Sequence, residues 1–140
     1  YSLDRAVRVL RERGIEHAIV NLGGDLYALG ESPEGGAWRV GIKDPDDLRG
    51  VARTLEVSDR AVATSGDYER FFRYRGARYH HLIDPATAAP RQTNVRSVTV
   101  LADRCIDAEP CAVSIFGLPH ERALAFARAQ LSSADVITLT

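Results

Sequence analysis

The chain opens with the apolar spacing of an amphipathic helix. Leu3, Val7 and Leu10 are four and three residues apart, so they fall on one side of a helix, and arginines occupy several of the other positions. Gly14 ends the pattern, because glycine is a common stop signal for helices. The arginines are most simply explained as the solvated face of this helix.

Most of the following residues, up to position 102, show extended patterns separated by turn residues. The predicted strands are 18–20, 26–29, 38–42, 54–57, 61–64, 71–74, 78–82 and 95–102. The paired glycines Gly23 and Gly24 predict a hairpin between the first two strands, 54–57 and 61–64 form a further strand pair, and Gly76 predicts a second hairpin. Strand 38–42 stops before Pro45, because proline cannot donate a ladder hydrogen bond. A segment that holds two prolines, 84–94, is predicted to be a loop.

Two helices and a last strand complete the pattern. Residues 106–118 and 120–131 suit helices, and 136–139 can close a sheet. Pro110 is tolerable in the first of these helices only if it falls in the first turn. The order helix, strands, two helices, strand predicts an α+β fold with a largely antiparallel sheet and helices packed on one face.

Composition and charge narrow the class of protein. Hydrophobic residues make up 45% and charged residues 26% of the 140 positions, as in an ordinary globular domain that buries a core without disulfides. The 18 basic and 19 acidic residues give a net charge of −1, which argues against nucleic acid as a partner. No apolar run approaches the roughly 20 residues that cross a bilayer. Cys105 and Cys111 are too few for a zinc site and are predicted to be small core residues.

Two glycine-containing segments at strand ends are candidate ligand contacts. Residues 21–25, Asn-Leu-Gly-Gly-Asp, can bring backbone N–H groups close to an anion, or they can simply form the hairpin turn. Residues 64–68, Thr-Ser-Gly-Asp-Tyr, open from a strand end into a polar turn. The simpler interpretation of the second segment is a turn closed by the Ser or Asp side chain.

A pair of histidines, His80 and His81, lies at the end of a predicted strand. Strand alternation puts the two side chains on opposite faces, so only one can face a cleft. An imidazole there can accept a proton from an attacking hydroxyl, although a structural role is the commoner one for such a residue. Asp84, which precedes Pro85, can orient the imidazole or initiate the turn.

Acidic residues at the start of the helix predicted over 106–118 are the last candidate. Asp107 and Glu109 can stabilise the helix dipole without any further role. A carboxylate beside a phosphate also suits Mg²⁺, which takes few protein ligands and completes its shell with water and phosphate oxygens. The spacing alone does not decide between the two interpretations.

Taken in order, these segments resemble the ApbE family of FAD:protein FMN transferases. The resemblance is carried by NLGGDL, WRVGIKDP, ATSGDYERFF, RYHHLIDP and SVTVLA followed by an acidic helix start. It runs across essentially the whole chain. It implies that residues 1–140 are the C-terminal portion of an ApbE-like domain, and that the N-terminal half, with a flavin-contacting segment and a GxxAKG stretch ending just before Tyr1, is absent.

The resemblance also implies an activity and its partners. Members of this family move FMN from FAD to a Ser or Thr hydroxyl of a target protein in an Mg²⁺-dependent phosphoryl transfer that releases AMP. FAD, Mg²⁺ and a flavin-acceptor protein are therefore the implied cofactors and partners. A periplasmic or exported location is implied by the resemblance alone.

Site residues follow by position in the family pattern. His81 matches the histidine that acts as base, and Ile83 matches a backbone position that contacts the flavin. The implied cofactor-binding positions are Asn21, Gly23, Gly24, Asp25, Ser65, Gly66, Asp67, Ile83 and Asp84. Of these, Asp25 and Asp67 are expected to line the cleft from the two glycine turns.

The implied metal site is where the sequence departs from the family. The family helix has Asp and Thr ligands four residues apart, and an ungapped match places Glu109 and Val113 there. Glu109 is the implied ligand, Ala112 can offer only a carbonyl, and Val113 has no side-chain oxygen. Asp107 is the alternative ligand.

A second departure lies in the loop 84–90, where alanines replace the basic residue and glycine that the family usually has. Together with Val113, this loop leaves a competing hypothesis open: a catalytically degenerate protein that binds FAD or a partner without turnover.

Overall fold

The computed structural model describes residues 1–47 and 49–140. Its elements, in chain order, are α1 (Ser2–Glu12), β1 (Ala18–Leu22), β2 (Asp25–Leu29), β3 (Trp38–Lys43), β4 (Val51–Val57), β5 (Arg60–Gly66), β6 (Phe71–Tyr74), β7 (Ala77–His80), β8 (Ile83–Asp84), β9 (Ala89–Pro90), β10 (Ser97–Ala102), α2 (Cys105–Ile115), α3 (His120–Gln130) and β11 (Asp135–Leu139). None of the described helices is long and apolar enough to cross a membrane.

A five-stranded sheet with the order β1-β2-β5-β10-β11 forms the centre of the fold, and each neighbouring pair of strands is antiparallel. All six residues of β10 are buried, because this strand has a neighbour on each side and is covered on both faces. The mixture of helices and antiparallel strands confirms the α+β prediction.

The helices pack on one face of this sheet, as the sequence predicts. Side chains of α2, among them Ile115, together with the adjacent Phe116, are fully buried against Val98 and Val100 of β10. Cys105 and Cys111 are also buried in this layer, which confirms their prediction as core residues. Burial raises the pKa of both thiols, that of Cys105 to about 12, so they stay protonated at neutral pH.

The opposite face of the sheet is covered by the hairpin of β3 and β4. Val40 and Ile42 of β3 and Val57 of β4 join a second apolar cluster with residues of the central sheet such as Val62 and Leu101. The sheet is therefore a middle layer with apolar packing on both sides.

The segments predicted as 54–57 and 61–64 are both strands, but they do not pair with each other. β4 pairs with β3, whereas β5 joins β2 and β10 in the central sheet. The chain turns between them at Asp59, which has a positive φ of 51° and accepts a hydrogen bond from the Gly30 amide. The prediction of a strand pair at this point is wrong, because partner choice is decided by non-local burial.

Two other boundaries differ from the prediction. α2 begins at Cys105, so Pro110 lies in its second turn and not in its first. Proline has no N–H, and the carbonyl of Ile106 therefore receives no helical hydrogen bond from position 110. Strand β7 ends at His80 instead of Leu82, and the predicted loop 84–94 overlaps the short ladder of β8 and β9.

Candidate active site

A cleft of about 830 Å³ lies where the start of β2, the end of β5 and the segment after β7 face α2. Its volume is within the range of small-molecule sites. Eight of the catalytic, cofactor-binding and metal-binding residues that the resemblance implies line it: Gly23, Asp25, Ser65, Gly66, His81, Ile83, Glu109 and Ala112. The antiparallel pairing of β2 with β5 places the start of β2 beside the end of β5, so the two glycine-containing segments, 21–25 and 64–68, lie at the same end of these strands.

The turn at the start of β2 has the hairpin geometry that the sequence predicts. Both Gly23 and Gly24 have positive φ, 68° and 109°, which only glycine adopts without strain. The side chain of Asn21 accepts a hydrogen bond of 3.4 Å from the Gly24 amide and so closes the turn. Gly23 lines the cleft, whereas Asn21 and Gly24 lie outside its lining.

Two carboxylates, of Asp25 and Glu109, face the cleft from opposite elements. Partial burial raises the pKa of Asp25, the negative charge of Glu109 raises it further, and a hydrogen bond from the Thr64 backbone lowers it. The two acids are therefore close enough to repel each other. A cation between them would relieve that repulsion, and hard oxygen donors are what Mg²⁺ prefers.

Asp25 and Glu109, here called the acidic pair, suit a metal ion that takes most of its ligands from water and from a bound substrate. Among the described residues, no group of three or more His, Cys, Asp or Glu side chains is arranged to hold a metal by itself. Mg²⁺ usually keeps several waters and binds through one or two carboxylates plus substrate phosphates. Asp107, the alternative ligand, is outside the cleft lining and pairs with Arg104 at 2.7 Å. The geometry thus favours Glu109 over Asp107.

Next to Asp25 and Glu109, the wall of the cleft is apolar at Val113, the position where the resemblance implies a Thr hydroxyl. Val113 lines the cleft and is 47% exposed. The neighbouring Ser114 also lines it, but its hydroxyl donates to the Pro110 carbonyl at 2.7 Å. Position 113 therefore supplies no side-chain oxygen to a cation.

The two histidines separate, as the sequence predicts, although β7 ends at His80 and His81 lies just beyond the strand. His80 is buried: its Nε2 bonds the Arg91 carbonyl at 3.2 Å, its Nδ1 accepts from the Leu82 amide, and its ring packs edge-on against Phe116. All its polar atoms are thereby used within the fold. His80 is a structural residue.

His81 lines the cleft and is exposed. Its Nδ1 lies 3.2 Å from the Arg70 carbonyl, which can only accept a hydrogen bond, so the proton is assigned to Nδ1. The same carbonyl accepts a hydrogen bond from the His81 backbone amide. This arrangement fixes the ring and leaves Nε2 as the proton acceptor.

Asp67 does not line the cleft, contrary to the expectation from the sequence. Its carboxylate accepts hydrogen bonds from Arg96 Nε at 2.9 and 3.0 Å and from Arg78 at 3.0 Å, and the residue is buried. This network ties the turn after β5 to β7 and to the segment before β10. Asp84 also lies outside the lining, where it accepts from the Ala86 amide and pairs with Arg91.

The Asp67 network predicts a difference in stability between two variants. Asp67→Asn removes the buried anion that the partly buried guanidinium groups of Arg78 and Arg96 share, and it is expected to lower the free energy of unfolding by about 2 kcal/mol. Asp46→Asn removes the other acidic partner of Arg96, but the Asp46 side chain is 78% exposed, and its loss is expected to cost less than about 1 kcal/mol. Urea denaturation of both variants measures the difference. Equal effects would contradict a structural role for Asp67.

Two cations of the cleft were missed by the sequence reasoning. Arg70 and Arg91 both line it. The Arg91 guanidinium donates to the Phe116 carbonyl and pairs with Asp84 at 3.4 Å, so it is held in place on the cleft wall. The chain has 18 basic residues, and nothing in the local sequence of these two distinguishes them from solvated arginines. Their positions in the folded chain bring positive charge to the site.

Comparison with known proteins identifies the family and the fold of this chain. The family model described as "ApbE family" matches residues 1–138. The FAD:protein FMN transferases of Treponema pallidum and Vibrio cholerae are 40% and 38% identical over 91% and 92% of this chain. The crystal structure of the ApbE protein of Thermotoga maritima superposes with a TM-score of 0.86 at 31% identity, over 99% of this chain and 45% of that one. The flavin transferase ApbE of Vibrio cholerae superposes with a TM-score of 0.80 at 37% identity, over 97% of this chain and 42% of that one.

These observations define a class of protein: an α+β fold with a cleft that contains acidic residues and a histidine and lies at one end of the strands of an antiparallel sheet. The chain belongs to the ApbE family. It spans 38% and 39% of the length of the two curated relatives.

Proposed function

We propose that this chain supplies the acidic pair and the general base of an enzyme that transfers FMN from FAD to a Ser or Thr hydroxyl of an acceptor protein and releases AMP. The observation that supports the proposal most is the meeting of Asp25, His81 and Glu109 in one cleft. The names of the family relatives, FAD:protein FMN transferase, support the same reaction.

In the proposed reaction, Nε2 of His81 takes the proton of the acceptor hydroxyl. The hydroxyl oxygen forms a bond to the phosphorus of the FMN half of FAD, and the bond from that phosphorus to the bridging oxygen breaks, so that AMP leaves with this oxygen. Charge on the phosphate oxygens must be stabilised during such a transfer. Arg70 and Arg91 are the cations of the cleft that are available for it.

The residues that would hold Mg²⁺ are Glu109 and Asp25, with the carbonyl of Ala112 as a further oxygen. When bound, the ion neutralises negative charge on the pyrophosphate and thereby favours attack at phosphorus. The acidic pair makes its end of the cleft negatively charged and therefore favourable for a cation. Arg70, Arg91 and His81 line other parts of the wall.

A second candidate function is FAD binding without turnover, and the specific observation behind it is Val113. An apolar side chain at the cleft surface removes one oxygen that the family pattern places on the metal. Under this hypothesis the protein binds FAD but releases no AMP, and Val113→Thr restores release.

A single assay separates the two functions. The full-length protein is incubated with FAD, Mg²⁺ and an acceptor protein that the Vibrio cholerae transferase flavinylates, with that transferase as the positive control. Covalent flavin on the acceptor, together with one AMP released per flavin attached, is the expected result. If the unmodified protein binds FAD but releases no AMP, and Val113→Thr does release AMP, the protein binds FAD without turnover. If the protein neither binds FAD nor releases AMP, both proposals are wrong.

We further propose that the reaction takes place in the periplasm or outside the cell. The support is the family resemblance alone. Cell fractionation followed by immunoblotting tests it, and a signal confined to the cytoplasmic fraction would contradict it.

A further inference from the structure

The first turn of α2 is capped by a side chain from the opposite end of the chain. The carboxylate of Asp4, in the first turn of α1, accepts hydrogen bonds from the backbone amides of Cys105 at 2.8 Å and Ile106 at 2.9 Å. The two oxygens take one amide each. These are the first two residues of α2, whose N–H groups have no partner within the helix.

α2 depends on this cap more than most helices would. Arg104 occupies its own N-cap position and makes no capping hydrogen bond with its side chain. Pro110 in the second turn removes one of the hydrogen bonds that would otherwise tie the first turn to the rest of the helix. Asp4 therefore replaces the missing local cap at a helix end that also lacks one internal hydrogen bond.

The capped turn directly precedes the acidic residue of the cleft. Glu109 follows Cys105 by four residues, about one helical turn, and a small recess of about 320 Å³ between the start of α1 and the start of α2 is lined by Asp25 and Glu109 as well. Burial raises the pKa of the Cys105 thiol most, and the negative charges of Asp4 and Asp25 raise it further, so the start of α2 lies near both of these carboxylates. A movement of the first turn of α2 would thus change the distance between Glu109 and Asp25.

We infer that Asp4 is a positioning residue for the acidic pair: by capping α2 from α1, it holds Glu109 opposite Asp25 at the separation that a divalent cation requires. The inference rests on the proposed function, because that proposal assigns the acidic pair to Mg²⁺. A merely structural cap would contribute to stability and leave the affinity for a divalent cation unchanged.

Asp4→Asn is the most informative variant, because the amide has nearly the shape of the carboxylate. Its oxygen can accept from only one of the two helix amides, and its NH₂ group would face the other donor. Asp107→Asn is the matched control: it makes the same change of charge in the same helix turn, but it removes only the pair with Arg104 and leaves the link to α1 intact. Val7→Ala, a core truncation in α1, controls for a general loss of stability.

The experiment measures binding of Mn²⁺, as a probe for Mg²⁺, to the full-length protein with FAD by electron paramagnetic resonance. Hydrogen exchange of residues 105–109 is recorded on the same samples. We expect Asp4→Asn to weaken Mn²⁺ binding about tenfold or more, as loss of outer-sphere support does at other metal sites, and to speed exchange of the first amides of α2. Asp107→Asn and Val7→Ala are expected to bind Mn²⁺ like the unmodified protein.

Two results would overturn the inference; the first leaves the proposed metal site intact, and the second does not. If Asp4→Asn speeds exchange at 105 and 106 yet binds Mn²⁺ with unchanged affinity, Asp4 is only a cap, and the proposed metal site stands without it. If the unmodified protein with FAD binds no Mn²⁺, the proposed metal site itself is wrong, and the positioning role falls with it.

Discussion

Replacement of His81 with alanine is expected to lower the rate of FMN transfer by about 10²–10⁴-fold, the usual contribution of a positioned general base. The reason is that Nε2 of His81 is the free imidazole nitrogen at the cleft, held there by the bond from Nδ1 to the Arg70 carbonyl. FAD affinity should change little, because the base acts on the acceptor hydroxyl. Covalent flavin on the acceptor measures the rate, and quenching of FAD fluorescence measures binding.

The neighbouring His80 provides the control for this variant. His80→Gln removes a buried ring that bonds Arg91 and Leu82, so it should lower the melting temperature while the folded fraction keeps most of its transfer rate. Transfer at the unmodified rate by His81→Ala would remove His81 from the proposed mechanism. A large loss of rate in folded His80→Gln would instead assign the base to the wrong histidine of the pair.

Removal of either cleft carboxylate is expected to raise the Mg²⁺ concentration that gives half-maximal transfer. Asp25→Asn and Glu109→Gln each leave one charge where the structure has two, and the increase should be at least as large as the roughly 10–100-fold seen when outer-sphere partners of a metal are lost. A high Mg²⁺ concentration should partly restore the rate of both variants. Titration of transfer rate against Mg²⁺ is the measurement.

Asp107→Asn serves as the comparison in this titration, because Asp107 is an acid of the same helix that lies outside the cleft and pairs with Arg104. Its Mg²⁺ requirement should match that of the unmodified protein. If Asp107→Asn raises the requirement and Glu109→Gln does not, the ligand is Asp107, and the ungapped match of α2 to the family helix is wrong.

Local features of the fold were predictable because each depends on few residues. The spacing of Leu3, Val7 and Leu10 defines α1, and paired glycines with positive φ define the β1–β2 turn. That only one of His80 and His81 reaches the cleft was also predictable, although His81 lies just past the end of β7 and not in the strand. Such features need no knowledge of the packing partner.

Features that depend on distant partners were not predictable in this way. The pattern of 54–57 and 61–64 cannot show that β4 joins β3 outside the central sheet, because the choice of partner depends on packing against residues that are distant in sequence. Asp67 occurs in a turn typical of ligand contacts, yet two arginines distant in sequence engage its carboxylate. The bond from Asp4 to α2 likewise spans more than 100 residues.

The central claim is that one FAD pyrophosphate, with its metal, lies between the acidic pair and His81. A crystal structure of the full-length protein with FAD and Mg²⁺ tests this most directly. The expected electron density shows the ion coordinated by Glu109 or Asp25 and by pyrophosphate oxygens, with Nε2 of His81 facing the phosphorus of the FMN half. FAD bound outside this cleft, or an ion held by Asp107 away from the pyrophosphate, would contradict it.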